Sequence, residues 1–406
     1  MRFDLHLRTE LREQIATVAE KMREWEDAPR FGTKDRFNTS EAVQFFKHTT
    51  YCENLLIAGI DGSGDYPAVT YSDSFVHLTV AHGTIYKSDI STGLRELPPF
   101  GPPLVQVTWM AEEETQRLKA WDNAFTALAG LSIAEVIDRS DYRDLKTEAS
   151  GKNTTLSKLA TELVRPHAAD SGNIAIQLRT LGELGSALRL LKSQPGLDYL
   201  LYDGTFSLPL VTRKDVSLFY EHLKRLCCVE AKSRGVAFMA LSKSHGLPGM
   251  DLLEEIAKEK VGTPVREKAE HWFLRLPVPG FDDWKFPLAE GRQLPPIGAV
   301  TYLVRFHRNV PVLRLDMDLE YWRAHIYRDN QEETQYNECQ VFQKLDYACH
   351  DQRCFGYPYP IKAGHDRASL TAAERVTLRK QIVDAAVDAG LRRSLFRDVS
   401  MATGHQ

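Results

Sequence analysis

Two aspartates stand at equivalent places after strongly apolar segments. Asp61 follows Leu55–Ile60 and precedes Gly-Ser, and Asp203 follows Leu197–Tyr202 and precedes Gly-Thr. A short apolar run that ends at Asp-Gly is typical of a buried strand, and ligands bind at strand ends in open α/β sheets. Two neighbouring carboxylates can hold Mg²⁺ or Mn²⁺. Such ions activate water and stabilise the leaving oxygen in phosphodiester cleavage.

Asp-Gly is also a common turn at the end of a strand, and two functional classes use paired strand-end aspartates. One is the metal-dependent nucleases and integrases of ribonuclease-H-like fold, and the other is the actin-like phosphotransferases and ATPases. The turn Asp61–Gly64 partly fits the phosphate loop of the second class. However, the sequence has no convincing adenosine-binding glycine motif and no GxxxxGK[ST] loop, which disfavours that class.

The composition indicates an ordinary globular chain. It has 406 residues, of which 43% are hydrophobic and 26% charged, and its net charge is −4. These values exclude a collagen-like, coiled-coil or disordered protein, and no run approaches the ~18 apolar residues of a membrane span. Without an apolar signal-peptide segment, and with only six cysteines, we expect a cytoplasmic protein with no membrane contact. Any contact with nucleic acid must be local, because the bulk charge is not basic.

The order of predicted elements indicates an α/β fold. A helix from Leu5 to about Asp27 comes first, and three strands follow, ending near Tyr86. Helical segments then alternate with the strands at 197–202 and 236–241, before a hairpin and late helices. This order suits a ribonuclease-H-like mixed sheet flanked by helices, with helical insertions and an N-terminal helical arm.

The same elements predict three parts of the chain. Residues 1–50 form the N-terminal arm, 51–390 the main domain and 391–406 a C-terminal tail. Within the main domain we expect a helical insertion at about 104–170. A second, loop-rich insertion at about 245–297 is predicted from its proline, glycine and aromatic content.

Three motifs, in this order, resemble those of the NurA nucleases, which act in DNA end resection with the HerA hexameric ATPase. They are Ile60-Asp61-Gly62-Ser63, Leu200-Leu201-Tyr202-Asp203-Gly204-Thr205-Phe206, and Gly356-Tyr357-Pro358-Tyr359-Pro360-Ile361-Lys362-Ala363-Gly364-His365. Each motif is weak alone, but the ordered set spans most of the chain. The resemblance implies a NurA-type domain at 51–390 and a homodimer that docks on a HerA-type hexameric ATPase.

The resemblance also implies the site residues. Asp61, Asp203 and His365 match the family motifs directly, and Glu183 is the only acidic residue of the predicted helix 174–191, where the family has a glutamate. The site tyrosine is expected at Tyr357, with Tyr359 as the alternative. We expect Asp61, Glu183, Asp203 and His365 to bind Mn²⁺, with Mg²⁺ as the alternative, since the imidazole favours Mn²⁺.

The expected activity is metal-dependent cleavage of DNA. From the resemblance alone we expect an exonuclease of 5′-to-3′ direction, with endonuclease activity in addition, in DNA repair or phage defence. The alternatives are a catalytically silent adaptor of a HerA-like ATPase and an actin-like phosphotransferase. Lys243 is a candidate phosphate contact or an ordinary surface lysine. The spacing of Cys339, Cys349, His350 and Cys354 lacks a CxxC pair, so we predict no zinc site there.

Overall fold

The chain forms one large sheet with helices on both faces. The computed structural model describes residues 9–27, 43–64, 67–89, 93–99, 101–145, 171–206, 220–243, 271–278, 280–282, 298–307 and 310–397. Its strands, in chain order, are β1 (Val43–Phe45), β2 (Leu56–Ser63), β3 (Pro67–Tyr71), β4 (Ser74–Asp89), β5 (Gly93–Glu96), β6 (Leu104–Met110), β7 (Tyr199–Asp203), β8 (Ala237–Ser242), β9 (Trp272–Arg275), β10 (Ala299–Arg305), β11 (Leu313–Asp318), β12 (His350–Asp351), β13 (Cys354–Phe355) and β14 (Phe396–Arg397).

The helices alternate with these strands from the middle of the chain onward. In chain order they are α1 (Thr9–Asp27), α2 (Glu114–Ala129), α3 (Ile133–Arg139), α4 (Ser171–Ser193), α5 (Glu221–Ser233), α6 (Leu319–His325), α7 (Gln331–Cys349), α8 (Tyr359–Ala368) and α9 (Ala372–Asp388). None of the described helices is long and apolar enough to cross a membrane.

Strand β2 is the centre of the sheet. It pairs antiparallel with β4 and parallel with β7, and β7 pairs parallel with β8. β4 also pairs antiparallel with β5 and β6. The order β6–β4–β2–β7–β8, with an antiparallel first half and a parallel second half, is that of a ribonuclease-H-like core. The expected fold class is therefore confirmed.

Beyond β8 the sheet continues through antiparallel strands. β11 pairs with β8, and β10, β9 and β1 follow in that order. The predicted hairpin is the pair β10 and β11. β1, at the outer end of this extension, has only three residues and pairs with β9.

Two apolar cores lie on opposite faces of the sheet. Alternate residues of β2 and β7 contribute to each face, because side chains of a strand alternate in direction. Ala58, Ile60 and Leu200 belong to the core beneath α2, α4 and α5. Ile57 and Leu201 belong to the second core, which α7 and α8 cover. β2 is apolar over nearly its whole length because it is buried on both faces.

Helix α8 packs unusually close to β2. A Cβ built on Gly59 would lie 2.2 Å from the carbonyl carbon of Pro360, and one built on Gly364 would lie 3.2 Å from the backbone nitrogen of Asp61. Two hydrogen bonds hold the helix there. Thr84 Oγ1 donates to the Pro360 carbonyl at 2.8 Å, and Ser63 Oγ donates to the Ala368 carbonyl at 2.5 Å.

The structure differs from the sequence prediction in three places. Residues 104–110, predicted to begin the helical insertion, form β6, and helix α2 begins only at Glu114. β9 lies inside the predicted loop-rich insertion. β2 does not end at Asp61 but continues to Ser63, because its pairing with β4 continues. Much of the two predicted insertions (146–170, 244–270, 279 and 283–297) and of the tail (398–406) lies outside the described residues.

The close packing of α8 on β2 predicts that a single added methyl group at residue 59 lowers the stability of the protein. Gly59→Ala should lower the free energy of unfolding by roughly 2–3 kcal/mol, because the added Cβ meets backbone atoms that cannot rotate away. Gly101→Ala is the matched control, since a Cβ there meets no atom of the described residues within 4 Å. Urea unfolding measures both. Equal stabilities of the two variants would contradict this account of the packing.

Candidate active site

Asp61 and Asp203 lie side by side where two parallel strands separate. The ladder of β2 and β7 ends at the pair Ile60 and Tyr202, and each aspartate is the next residue of its strand. Both side chains therefore point to the same face of the sheet, the one that α8 covers. Neighbouring strands are about 4.8 Å apart, so the two carboxylates share a small region.

His365 approaches this region from α8. Its Nδ1 lies 3.1 Å from Oδ2 of Asp61, and its Nε2 lies 3.2 Å from the hydroxyl of Ser369. Asp61 itself is buried, and its Oδ1 accepts a hydrogen bond from the backbone nitrogen of Gly62 at 2.7 Å. The imidazole is largely exposed, so it lies between the buried carboxylate and solvent.

A buried carboxylate fixes the turn that follows Asp203. The backbone nitrogen of Phe206 donates to Oδ2 of Asp316 at 2.8 Å, and Gly204 donates to the carbonyl of Leu241 at 3.0 Å. Asp316 is fully buried and is paired with Arg314 at 2.8 Å. Asp316 is not among the site residues that the sequence predicts, because an aspartate directly after a predicted hairpin strand carries no spacing signal that links it to residue 206.

The surroundings of Asp61 and Asp203 raise the pKa of both carboxyl groups. Burial raises the pKa of Asp61, although the Gly62 amide, His365 and Arg179 oppose the shift. Burial and the negative charge of Asp61 raise the pKa of Asp203, against the opposing effects of Lys243, Arg179 and His365. Two close carboxylates that resist ionisation are stabilised by a cation.

Glu183 reaches β2 from the opposite face. It is buried on α4, and its Oε1 lies 3.3 Å from Nε of Arg179, one helical turn earlier. A Cβ built on Gly62 would lie 3.0 Å from that same oxygen. Gly62, which follows Asp61, has no side chain and therefore leaves room for the Glu183 side chain beside β2. Arg179 was also missed, although its position four residues before Glu183 was a usable signal.

Tyr357 and Tyr359 have different surroundings. Tyr357 is buried, its hydroxyl has no hydrogen-bond partner among the described residues, and its pKa is raised by burial and by the charges of Asp203 and Asp61. Lys243 Nζ lies 3.9 Å from the centre of its ring. The ring of Tyr359 instead stacks with the guanidinium of Arg353, 3.7 Å from its centre. Tyr357 is thus the tyrosine beside the two aspartates.

The four expected metal ligands lie in one region of the sheet, but their ligand atoms are not all close to one another. Asp61 and His365 are in contact, and Asp203 adjoins them, whereas Glu183 comes from the other face of the sheet. Among the described residues, these four are not a group whose ligand atoms all lie within 4.8 Å of one another. Repulsion between neighbouring carboxylates is a physical reason for this spacing.

The residue types nevertheless fit a hard divalent cation. Three carboxylates and one imidazole are the donors that Mn²⁺ and Mg²⁺ accept in proteins, and the imidazole favours Mn²⁺. The raised pKa values of Asp61 and Asp203 and the unpartnered hydroxyl of Tyr357 are further observations that a bound ion and its ligands would account for.

No family model and no curated protein matches the sequence. Several solved structures are similar over nearly the whole chain. The NurA nuclease from Sulfolobus solfataricus is 12% identical with a TM-score of 0.49, and 95% of this chain and 99% of that chain are covered.

Two further structures have lower scores. A NurA structure with manganese is 13% identical, with a TM-score of 0.37 and coverage of 94% of this chain and 99% of that chain. Endonuclease V of Ciona intestinalis in complex with DNA is 10% identical, with a TM-score of 0.30 and coverage of 91% and 99%. Identities and TM-scores this low leave the function to be argued from the site itself.

The raised pKa values predict how stability depends on pH without metal. A carboxyl group whose pKa is higher in the folded state binds more protons there, so its contribution to stability is lost as the pH rises through the folded value. Asp203→Asn should therefore raise the melting temperature of the chelator-treated protein near neutral pH, and flatten the decline of stability from about pH 4 upward.

Thermal unfolding in a chelator over a series of pH values measures this. Asp73→Asn is the matched control, because Asp73 is exposed in the turn between β3 and β4. A lower melting temperature for Asp203→Asn than for the wild type at neutral pH would show that the Asp203 charge is not a source of strain.

Proposed function

We propose that this chain is a metal-dependent DNA nuclease. The observation that carries the proposal is the pair formed by Asp61 and His365, 3.1 Å apart, beside Asp203 at the end of two parallel strands. Carboxylates and an imidazole at such a point suit phosphodiester hydrolysis assisted by divalent ions. The proposed cofactor is Mn²⁺, with Mg²⁺ as the alternative.

The proposed ligands are Asp61, Glu183, Asp203 and His365. Ions bound there would lower the pKa of water and neutralise charge that develops on the departing oxygen. The chain's own groups do the rest. Asp61 is oriented by the Gly62 amide, and Asp203 by a turn that Asp316 fixes. These hydrogen bonds hold both carboxylates in position before the substrate binds.

Three further groups suit the binding of a phosphate. Lys243 and Arg179 place positive charge near Asp203, as their opposing effect on its pKa indicates. In the described part of the chain the buried Tyr357 hydroxyl has no hydrogen-bond partner, and it could donate a hydrogen bond to a phosphate oxygen or a ligand carboxylate. Lys243 also covers the Tyr357 ring, so the two groups lie on one side of the site.

The wider role rests on the sequence resemblance to NurA nucleases. We propose a cytoplasmic exonuclease of 5′-to-3′ direction, with additional endonuclease activity, that works with a HerA-type hexameric ATPase. The proposed setting is DNA repair or phage defence. The nuclease domain would extend over 51–390, with 1–50 as an arm and 391–406 as a tail.

Removing either aspartate should abolish hydrolysis. Asp61→Ala and Asp203→Ala should each reduce the rate of cleavage of end-labelled linear DNA with Mn²⁺ by at least ~10²-fold, since each removes a proposed metal ligand. Asp366→Ala is the matched control, because Asp366 is an exposed carboxylate on α8 next to His365. Gel electrophoresis of the products gives the rates.

The same assay separates the alternative functions. DNA cleavage that persists in Asp203→Ala would contradict the proposed site. ATP hydrolysis by the chain alone would favour the phosphotransferase, and binding to a HerA-type ATPase without any cleavage would favour the silent adaptor. The series should be run with the wild-type chain alone and with the ATPase present.

We also propose that the chain is a homodimer that associates through β6. Val105, Val107 and Trp109 point outward from this strand and are 59%, 50% and 53% exposed. Among the described residues β6 pairs only with β4. A row of large apolar side chains on an edge strand is a typical site of association.

A charge in this row should weaken the dimer. Trp109→Lys should raise the dissociation constant at least ~10-fold, because a lysine would be buried without a partner. Val376→Lys on α9 is the control, since Val376 is similarly exposed but lies outside the row. Sedimentation velocity measures the equilibrium. A monomeric wild type at micromolar concentration, or an unchanged Trp109→Lys dimer, would contradict the proposal.

A further inference from the structure

A second group of metal-binding side chains lies at the outer end of the sheet extension. One atom of each of His48, His271, Asp346 and His350 that can bind a metal lies within 4.8 Å of every other. In the described part of the chain this is the only group of three or more such residues at that spacing. It contains none of the ligands proposed for the nuclease site.

Secondary structure brings these residues together from three segments. β1 and β9 pair antiparallel through Phe45 and Trp272, which places His48 and His271 near each other at the same end of the pair. Asp346 and His350 are separated by one helical turn at the end of α7, so their side chains lie on one face. Only this last spacing is visible in the sequence.

The contacts of Asp346 show how the group is organised. Its side chain is fully buried, and Oδ2 lies 2.8 Å from Nδ1 of His48 and accepts from the Thr49 backbone nitrogen at 2.7 Å. Oδ1 lies 3.0 Å from Nδ1 of His271 and 3.1 Å from Nδ1 of His350. The carboxylate is thus surrounded by three imidazoles.

One contact in the group is poorly aligned for a hydrogen bond. Asp346 Oδ1 and His271 Nδ1 form a pair at 3.0 Å, but among the described residues neither atom makes a hydrogen bond of good geometry. His271 is 7% exposed and Asp346 is completely buried, so water from bulk solvent does not account for both atoms. Buried polar atoms are normally well satisfied, and a metal ion bound by both side chains would satisfy them better than this contact does.

We propose that His48, His271, Asp346 and His350 bind one structural transition-metal ion, with Zn²⁺ preferred. Three imidazoles and a carboxylate are a suitable tetrahedral donor set for Zn²⁺. Ligands about 2.0–2.1 Å from such an ion lie roughly 3.4 Å from one another. The contacts of Asp346 are already slightly shorter than this, and the wider separations, at most 4.8 Å, need to shorten by up to about 1.4 Å. The imidazole-rich set differs from the oxygen-rich nuclease site, which suits Mn²⁺ or Mg²⁺.

The position of the group indicates a structural role. β1 is a three-residue edge strand held by β9, and such a short strand contributes few hydrogen bonds. An ion would fasten the ends of β1 and β9 to α7, between residues almost 300 positions apart in sequence. Ions that join distant segments stabilise the folded state by binding it and not the unfolded chain.

Metal analysis of the untagged, full-length protein tests this inference. The Asp61→Asn, Asp203→Asn double variant serves as the background, so that the nuclease ligands contribute little. After treatment with Zn²⁺ and removal of the excess, about one equivalent should remain per chain, and Mn²⁺ should not replace it. His271→Ala and His350→Ala should lower the affinity at least ~100-fold. His325→Gln, a histidine on α6 outside the group, should have no effect.

Two further measurements detect the bound ion directly and do not require a variant that loses binding. Zn²⁺ at a hundredfold excess over its dissociation constant should raise the melting temperature of the background protein by about 3 °C. In addition, Co²⁺ should give the absorption of a tetrahedral ion. His350→Cys should retain it and add a sulfur-to-metal charge-transfer band, because the thiolate replaces the imidazole as a direct ligand.

The result that overturns the inference is equally specific. Less than a tenth of an equivalent of Zn²⁺ in the background protein, together with an unchanged melting temperature, would mean that the four residues form a hydrogen-bonded cluster without metal. Zn²⁺ binding that His271→Ala leaves unchanged would place the ion elsewhere. Loss of DNA cleavage by Asp61→Ala has no bearing on either result.

Discussion

The contact between helix α8 and strand β2 is the constraint on which the candidate active site depends. Neither Gly59 nor Gly364 has a side chain, so the helix backbone lies directly against the strand. At this distance His365 reaches Asp61. A larger residue at Gly59 would push the helix outward and separate two groups that are 304 positions apart in sequence. The glycines are therefore part of the site, although neither carries a functional group.

The same packing explains the electrostatics. Asp61 is buried because α8 covers it, and burial is the main reason for its raised pKa. A fully solvated pair of aspartates would ionise readily and would have little need of a cation. Here the sheet holds Asp203 beside Asp61 by register, and the buried Asp316 fixes the turn that follows. The fold thus concentrates negative charge where a cation would stabilise it.

The sequence predicted the central strands, the fold class and the proximity of Asp61, Asp203 and His365, because apolar runs and local motifs carried that information. The sequence predicts a helical insertion from residue 104, whereas residues 104–110 form β6, in which Val105, Val107 and Trp109 alternate with other residues. The strand is hard to predict because it lies only a few residues before α2. β9 is four residues long within a proline-rich stretch. The position of Glu183 against Gly62 and the group around Asp346 depend on contacts between distant segments, which local patterns do not encode.

The two proposed metal sites share one segment of chain. Asp346 and His350 close α7, and the Cys349 carbonyl accepts a hydrogen bond from Gly356 at 2.6 Å, which folds the short β12–β13 hairpin back on the helix. Tyr357 follows immediately, and α8 with His365 comes next. An ion that fixes the end of α7 would therefore also fix the start of the segment that carries two active-site residues.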